Sequence, residues 1–222
     1  KWGPTGKRYY RQAESLSVRG AAALNADAAG IADYYTEEFN APTDLLAYGA
    51  PRVCADTSRL ADLDLTPKGF HLVVARFEVE NHVDVIVEGY MRSGATLPLV
   101  VVGSAPYADD YTARIESLAD DRVHLLGGLW DQELLDALYA GALVYYHGHS
   151  VGGTNPSLLR AIGAGAAVDA FDVSFNREVL GDEAVWCPPG DVAAWHDALA
   201  SLLADPARRE RLSMGARGRV DR

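Results

Sequence analysis

The residues best equipped for chemistry lie in one run, His147-Gly148-His149-Ser150-Val151-Gly152-Gly153-Thr154-Asn155-Pro156-Ser157-Leu158-Leu159. It offers two imidazoles, an adjacent glycine pair, hydroxyl and amide side chains, and no formal charge up to Leu159. An apolar run, Ala142 to Tyr146, precedes it and reads as a buried strand. Asn155 is a good helix N-cap, and Pro156 fits the first helical position. Leu158, Leu159 and Ile162 then mark an apolar helical face. The unit is strand, glycine-containing loop, helix. A helix start of this kind presents backbone N–H groups and favours an anion, with phosphate the obvious candidate. The plainer alternative is an ordinary loop of an α/β protein. The spacing is neither a Walker loop nor the dinucleotide fingerprint.

Regular elements that could position this loop begin near residue 70. Apolar runs at 70–75, 97–103, 123–127, 142–146, 166–170 and 184–186 read as strands. Between them, Val83, Ile86, Val87, Tyr90 and Met91 recur at helical spacing, as do Tyr111, Ile115 and Leu118. Asp131 caps a helix bearing Leu134, Leu135 and Leu138, and Asp191 caps a long one bearing Trp195, Leu199 and Leu202. The strands are apolar throughout rather than alternating, which is expected when both sheet faces are covered. The fold class is therefore α/β, a Rossmann-like, doubly wound parallel sheet. Ligands of such sheets sit at the carboxyl ends of the strands. Arg76, Gly103, Gly127 and the 147–155 loop all fall on that edge. Before residue 70 the pattern is weaker. Residues 9–24 look helical, 28–35 look like a short strand and turn, and 45–51 like a short strand ending in a loop. Residues 1–45 are expected outside the main sheet. The tail after Pro206 is basic.

Several of these residues admit two readings. Arg76 either holds a diphosphate or is a surface arginine paired with Glu78 or Glu80. His147 and His149 suit hydrogen bonds to hydroxyls or phosphate better than a metal, for which no third ligand stands at suitable spacing. Glu178 either faces the same cleft or is a solvated helix-end carboxylate. No Ser-His-Asp order with a strained nucleophile turn occurs. The net charge of −11 over 222 residues argues against sequence-independent nucleic-acid binding. Two cysteines make no disulfide framework and suggest a reducing, cytoplasmic compartment. No run is long and apolar enough to span a bilayer, and no secretory leader pattern opens the chain. The chain begins at Lys1 rather than Met, which suggests a cut or processed terminus.

The 147–159 run, with Phe175-Asn176-Arg177-Glu178-Val179-Leu180 and Ala75-Arg76-Phe77-Glu78-Val79-Glu80-Asn81, resembles a bacterial subgroup of retaining glycosyltransferases with the two-domain GT-B fold. That subgroup includes rhamnosyltransferases of surface polysaccharide assembly. The resemblance implies a donor-binding C-terminal domain and a mainly acceptor-binding N-terminal domain, with the active site between them. Residues 1–47 would be a remnant of the N-terminal domain, 48–205 the nucleotide-sugar-binding domain, and 206–222 a truncated C-terminal helix. Arg76, His149 and Asn155 are the expected catalytic residues. Gly103, Gly127, Gly152, Gly153, Thr154, Asn155, Arg160 and Glu178 are the expected donor contacts. The nucleoside-diphosphate sugar is a substrate, and neither cofactor nor metal is required. The implied partners are a glycan or lipid-linked acceptor and the missing N-terminal domain, through which any peripheral membrane association would arise. Two positions depart from the pattern. Arg160 stands where relatives hold the donor ribose with a glutamate, and Asn81 where many carry a lysine. Other classes stay open. A non-catalytic nucleotide-sugar-binding module is favoured by Arg160 and by the missing N-terminal domain. A sugar-phosphate isomerase would need histidine and carboxylate acid–base groups, of which this half supplies few.

Overall fold

The computed structural model describes residues 3–220. They divide into two compact units on either side of the Tyr48–Gly49 bond. In the first, helix α1 (Pro4–Gly20) is followed by strand β1 (Asn25–Ala26), helix α2 (Ala29–Phe39) and strand β2 (Asp44–Leu45). The two short strands pair in parallel with each other, and neither joins the larger sheet. For residues 3–45 that agrees with the expected placement outside the main sheet, and residues 1 and 2 lie outside the described residues. The strand expected over 28–35 is instead α2. Ile31, Tyr34, Tyr35 and Phe39 fall at helical spacing, and Asn40 closes the helix in the left-handed region at φ 49°. The strand expected over 45–51 shrinks to Asp44–Leu45 because its only partner, β1, is two residues long.

The second unit opens with a 3-10 helix (Thr57–Leu63) capped by Asp56, which the sequence pattern does not announce. The elements then alternate. They are β3 (His71–Val74), α3 (Val83–Arg92), β4 (Leu99–Val102), α4 (Asp109–Leu118), β5 (Val123–Gly127) and α5 (Gln132–Gly141). After them come β6 (Val144–His147), α6 (Pro156–Ala164), β7 (Ala167–Phe171), α7 (Ser174–Leu180), β8 (Val185–Cys187), α8 (Val192–Ala204) and α9 (Pro206–Gly218). The strand order is β5-β4-β3-β6-β7-β8, all parallel. The order reverses between β3 and β6. At such a switch point the following loops diverge to opposite faces and leave a crevice.

Alternate residues of each strand feed two cores. Val73, Val101, Tyr146 and Phe171 pack with Ile86, Tyr90, Ile115 and Trp195 on one face. Leu72, Val100, Tyr145 and Val168 pack with Leu60, Leu138, Leu158 and Ile162 on the other. A fully buried side chain of this size contributes about 1.5–3 kcal/mol, so both faces hold the strands in register. The predicted caps form. Asp131 Oδ1 accepts from the N–H groups of Glu133 and Leu134, and Asp191 Oδ1 from that of Ala194. The basic tail is α9. Leu212 and Ala216 are buried, and its arginines serve other helices. Arg209 donates to Leu202 O at the end of α8, and Arg219 to Glu178 O and Val179 O in α7.

Candidate functional site

A cavity of about 800 Å³ opens at the switch point, over the carboxyl ends of the strands. The β3–α3 loop contributes Arg76, Glu80 and Asn81. The β4–α4 loop contributes Gly103, Ser104 and Tyr107, and the β5–α5 loop Gly128 and Trp130. The β6–α6 loop contributes His149, Val151, Gly152, Gly153, Thr154 and Asn155. Seven of the sequence-predicted site residues are thus brought together: Arg76, Gly103, His149, Gly152, Gly153, Thr154 and Asn155. Gly127 lies beside them. It lines an adjoining recess of about 320 Å³, and its carbonyl accepts from Gly103 N–H at 2.8 Å.

Two predicted contacts fall elsewhere. Arg160 does not line the cavity. Its guanidinium reaches α5 and forms a two-pronged pair with Asp136, Nε to Oδ1 at 2.5 Å and Nη2 to Oδ2 at 3.2 Å. Glu178 is exposed on α7, away from the cavity lining, and its carbonyl accepts from Arg219. The distance between Asp136 and Arg160 along the chain hides the first pairing from a sequence pattern.

Asn155 caps α6 as expected, with its Oδ1 accepting from Ser157 N–H at 2.9 Å and from Ser157 Oγ at 2.7 Å. The cap changes how an anion could be met. Pro156 has no N–H, that of Ser157 is committed to Asn155 Oδ1, and that of Leu158 to Asn155 O at 3.1 Å. The helix therefore offers its dipole rather than the N–H groups of Ser157 and Leu158. Gly152 sits at φ 122°, a conformation that glycine adopts readily.

The cavity is lined by a guanidinium, Arg76, and a carboxyl side chain, Glu80, beside the His149 ring. Arg76 is exposed. Burial, and then the nearby charges of Arg76 and His82, lower the His149 pKa to about 4, so at neutral pH its ring is an uncharged hydrogen-bonding group. His147 is buried beneath it, with ring centroids 4.5 Å apart and planes at 11°. Burial holds His147 well below its ordinary pKa, and it does not line the cavity. Among the described residues no group of three or more His, Cys, Asp or Glu side chains is placed to hold a metal ion.

Several residues that shape the cleft were not read as site residues from the sequence. Asn81 is buried and its Nδ2 donates to Arg76 O at 2.8 Å, closing the β3–α3 loop on itself. Asn176 Nδ2 donates to His149 O at 3.1 Å and Phe171 O at 3.0 Å. Trp130, 94% exposed, lines the cavity, as does Tyr107, whose hydroxyl donates to Glu78 Oε1 at 2.7 Å. An isolated tryptophan in a polar loop was the available signal for Trp130. Asn81 stood out only as a departure from the family pattern and Asn176 only as part of a resembling run, and neither signal points to the loop it fastens.

Residues 46–219 match the family model "Glycosyl transferases group 1". The chain is 28% identical over 116 residues to the GtfA subunit of the UDP-N-acetylglucosamine–peptide N-acetylglucosaminyltransferase of Streptococcus gordonii, covering 50% of this chain and 22% of that protein. Sucrose-phosphate synthase of Thermosynechococcus elongatus superposes with a TM-score of 0.81 at 24% identity, over 94% of this chain and 55% of that one. HepE of Anabaena, solved with UDP and glucose, superposes with a TM-score of 0.84 at 15% identity, over 95% of this chain and 61% of that one. The chain thus spans less than two thirds of the length of each of these relatives. These likenesses to solved structures establish the α/β fold with its six-stranded parallel sheet. Among the described residues no helix is long and apolar enough to cross a membrane.

Proposed function

The chain belongs to the group 1 glycosyltransferases, and from that premise we propose that it is the donor-binding half of a retaining enzyme. The reaction moves a hexose or deoxyhexose, with rhamnose the sugar favoured by the subgroup resemblance, from a nucleoside diphosphate to a glycan or lipid-linked acceptor. The setting we infer is cytoplasmic assembly of bacterial surface polysaccharide. Free thiols at Cys54 and Cys187 are compatible with it. The observation that carries this reading is the meeting of Arg76 and the 149–155 loop across one cavity at the switch point.

The chemistry asks for charge stabilisation. As the bond from the anomeric carbon to phosphate breaks, negative charge grows on the diphosphate. Groups already aimed at that charge lower the barrier. Arg76 supplies a cation, the loop backbone supplies N–H donors, and α6 points its positive end at the same place. His149, neutral, can donate one hydrogen bond to a phosphate or sugar oxygen. With retention, the acceptor oxygen bonds to the anomeric carbon on the face the phosphate leaves, and a phosphate oxygen takes the acceptor's proton. This route needs neither a carboxylate pair nor a metal. The rest of the acceptor site would come from the N-terminal domain.

HepE and the pneumococcal GtfA were solved with UDP, so UDP is the first probe. Arg76→Ala is expected to weaken UDP binding by about 1.5–3 kcal/mol, roughly ten- to more than a hundredfold. Equal affinities for variant and parent in calorimetry would remove Arg76 from the site.

The Asp136 pair bears on the alternative of a non-catalytic nucleotide-binding module, which Arg160 favours. Arg160→Glu breaks that pair and sets two carboxylates side by side, so it should cost about 1–3 kcal/mol of stability. Arg160→Glu with Asp136→Asn should recover most of that loss in urea unfolding. If the double variant also binds UDP tenfold more tightly, a glutamate there reaches the ribose. Unchanged affinity would place this position outside the donor site.

A further inference from the structure

The two loops that carry the cleft leave adjacent strands, β3 and β6, and are fastened to each other. They cross at Gly148, where a Cβ would lie 2.4 Å from Asn81 O. Just beyond the crossing, Ser150 N–H donates to Glu80 O at 3.1 Å, and Ser150 Oγ donates to the same carbonyl at 3.2 Å. The His82 Nε2 atom lies 2.8 Å from Ser150 Oγ. A hydroxyl has one proton. With that proton on Glu80 O, the bond to His82 must be donated by Nε2–H. Both the neutral Nε2–H tautomer and the charged ring can make it.

His82 is itself firmly placed. It opens α3 from the left-handed region at φ 49°, and its ring meets Phe171 edge-on at 4.7 Å. On the other side, Asn176 holds His149 O. Neither His82 nor Ser150 lines the cavity. Each lies next to a residue that does, Asn81 and His149 respectively. Their bonds fix how far Arg76 on one loop stands from His149–Asn155 on the other.

We propose that His82 and Ser150 are positioning residues of the donor site, and that the His82–Ser150–Glu80 clasp sets the spacing between Arg76 and the 149–155 loop to fit a diphosphate. The inference rests on the donor-site reading above. Its physical basis is preorganisation. A ligand that finds both loops already spaced does not have to order them, so the cost of ordering does not subtract from its affinity.

The test is UDP titration calorimetry on the parent chain, Ser150→Ala, His82→Ala, the double variant and His82→Gln. Melting without ligand is recorded for each. Each alanine variant should bind UDP about tenfold more weakly, which is about 1.4 kcal/mol. The double variant should be about as weak as Ser150→Ala alone, because losing the Ser150 hydroxyl already removes the bond from His82 together with the one to Glu80 O. Glutamine carries an amide donor in place of Nε2–H and should restore most of the affinity. Melting temperatures close to the parent's separate this from general loosening. The clasp is overturned if the variants bind UDP like the parent, or if the two losses multiply in the double variant. Should His82→Ala fail to fold, Ser150→Ala and His82→Gln decide the question by the same criteria. A parent chain with no affinity for UDP would overturn the donor-site reading and the clasp with it, whereas unaltered variants of a UDP-binding parent overturn the clasp alone.

Discussion

Asp169→Asn is expected to make the chain more stable at neutral pH, by a margin that grows with pH. Asp169 lies on β7, in the middle of the sheet, and is fully buried. Its register partner on β6 is Tyr146. The Cys187 thiol donates to Oδ1 at 3.1 Å, while Oδ2 has no hydrogen-bond partner. Among the described residues it forms no salt bridge. A carboxylate cannot be sustained there. Burial raises the pKa well above the ordinary carboxyl value, against a smaller opposing effect of the Cys187 bond. The sign follows from linkage. The folded state keeps the proton where the unfolded chain, with a pKa near 3.9, has lost it. Stability is therefore fully present below about pH 4, and falls by about 1.4 kcal/mol per pH unit until the folded pKa is passed. Two pH units inside that window are worth about 3 kcal/mol. Asparagine has the same shape, keeps an oxygen for Cys187, and does not titrate. Urea unfolding of both proteins from pH 4 to 8 should give curves that meet in acid and diverge upward. Parallel curves would mean that Asp169 has a partner able to hold its charge.

The same residue shows what a sequence displays and what it hides. The sheet was legible because both faces are covered, so strands such as Leu99–Val102 are apolar at every position. Asp169 is a break in such a run, and nothing in the sequence says whether it faces solvent or core. The strand–loop–helix unit at 142–162 was legible because its signals are local. Asn155 caps the helix one residue after the loop, and Pro156 follows at once. The α2 helix was misread because its aromatic residues suit a strand as well as a helix, and the parallel pairing of β1 with β2, which requires a crossover between them, is not visible in the sequence. Arg160 was assigned to the ribose by position in a motif. In the fold its guanidinium pairs with Asp136, which lies on another helix. Asn81, His82 and Ser150 were invisible as a group for the same reason, since loops from β3 and β6 become neighbours only once the sheet order is known.

Gly103→Ala is expected to damage folding and ligand binding together, more than an alanine at the other cleft glycines. Gly103 directly follows β4, and its N–H donates to Gly127 O. Its φ of 150° is one that side chains rarely adopt, and a Cβ would fall 1.7 Å from Ala75 O and 2.8 Å from Ala75 C. Those are backbone atoms of the residue before Arg76, so no rotamer change can relieve the clash. Either the β3–α3 loop moves out, taking Arg76 with it, or the end of β4 does, with its bond to Gly127. Overpacking costs about 1–3 kcal/mol and the strained backbone about 1–3 more. A total near 4 kcal/mol corresponds to a fall in melting temperature of roughly 8–16 °C for a chain of this size. Gly152→Ala is the control. It shares the unfavourable φ, at 122°, but a Cβ there would meet nothing within 4 Å. It should pay the backbone cost alone and melt only a few degrees early. UDP affinity, measured well below both transitions, should fall in Gly103→Ala at least as far as in Arg76→Ala, since the displaced loop carries that arginine. A Gly103→Ala protein that melts and binds UDP like Gly152→Ala would show that the two loops can separate at no cost, and the close approach at β3 and β4 would then have no part in placing Arg76.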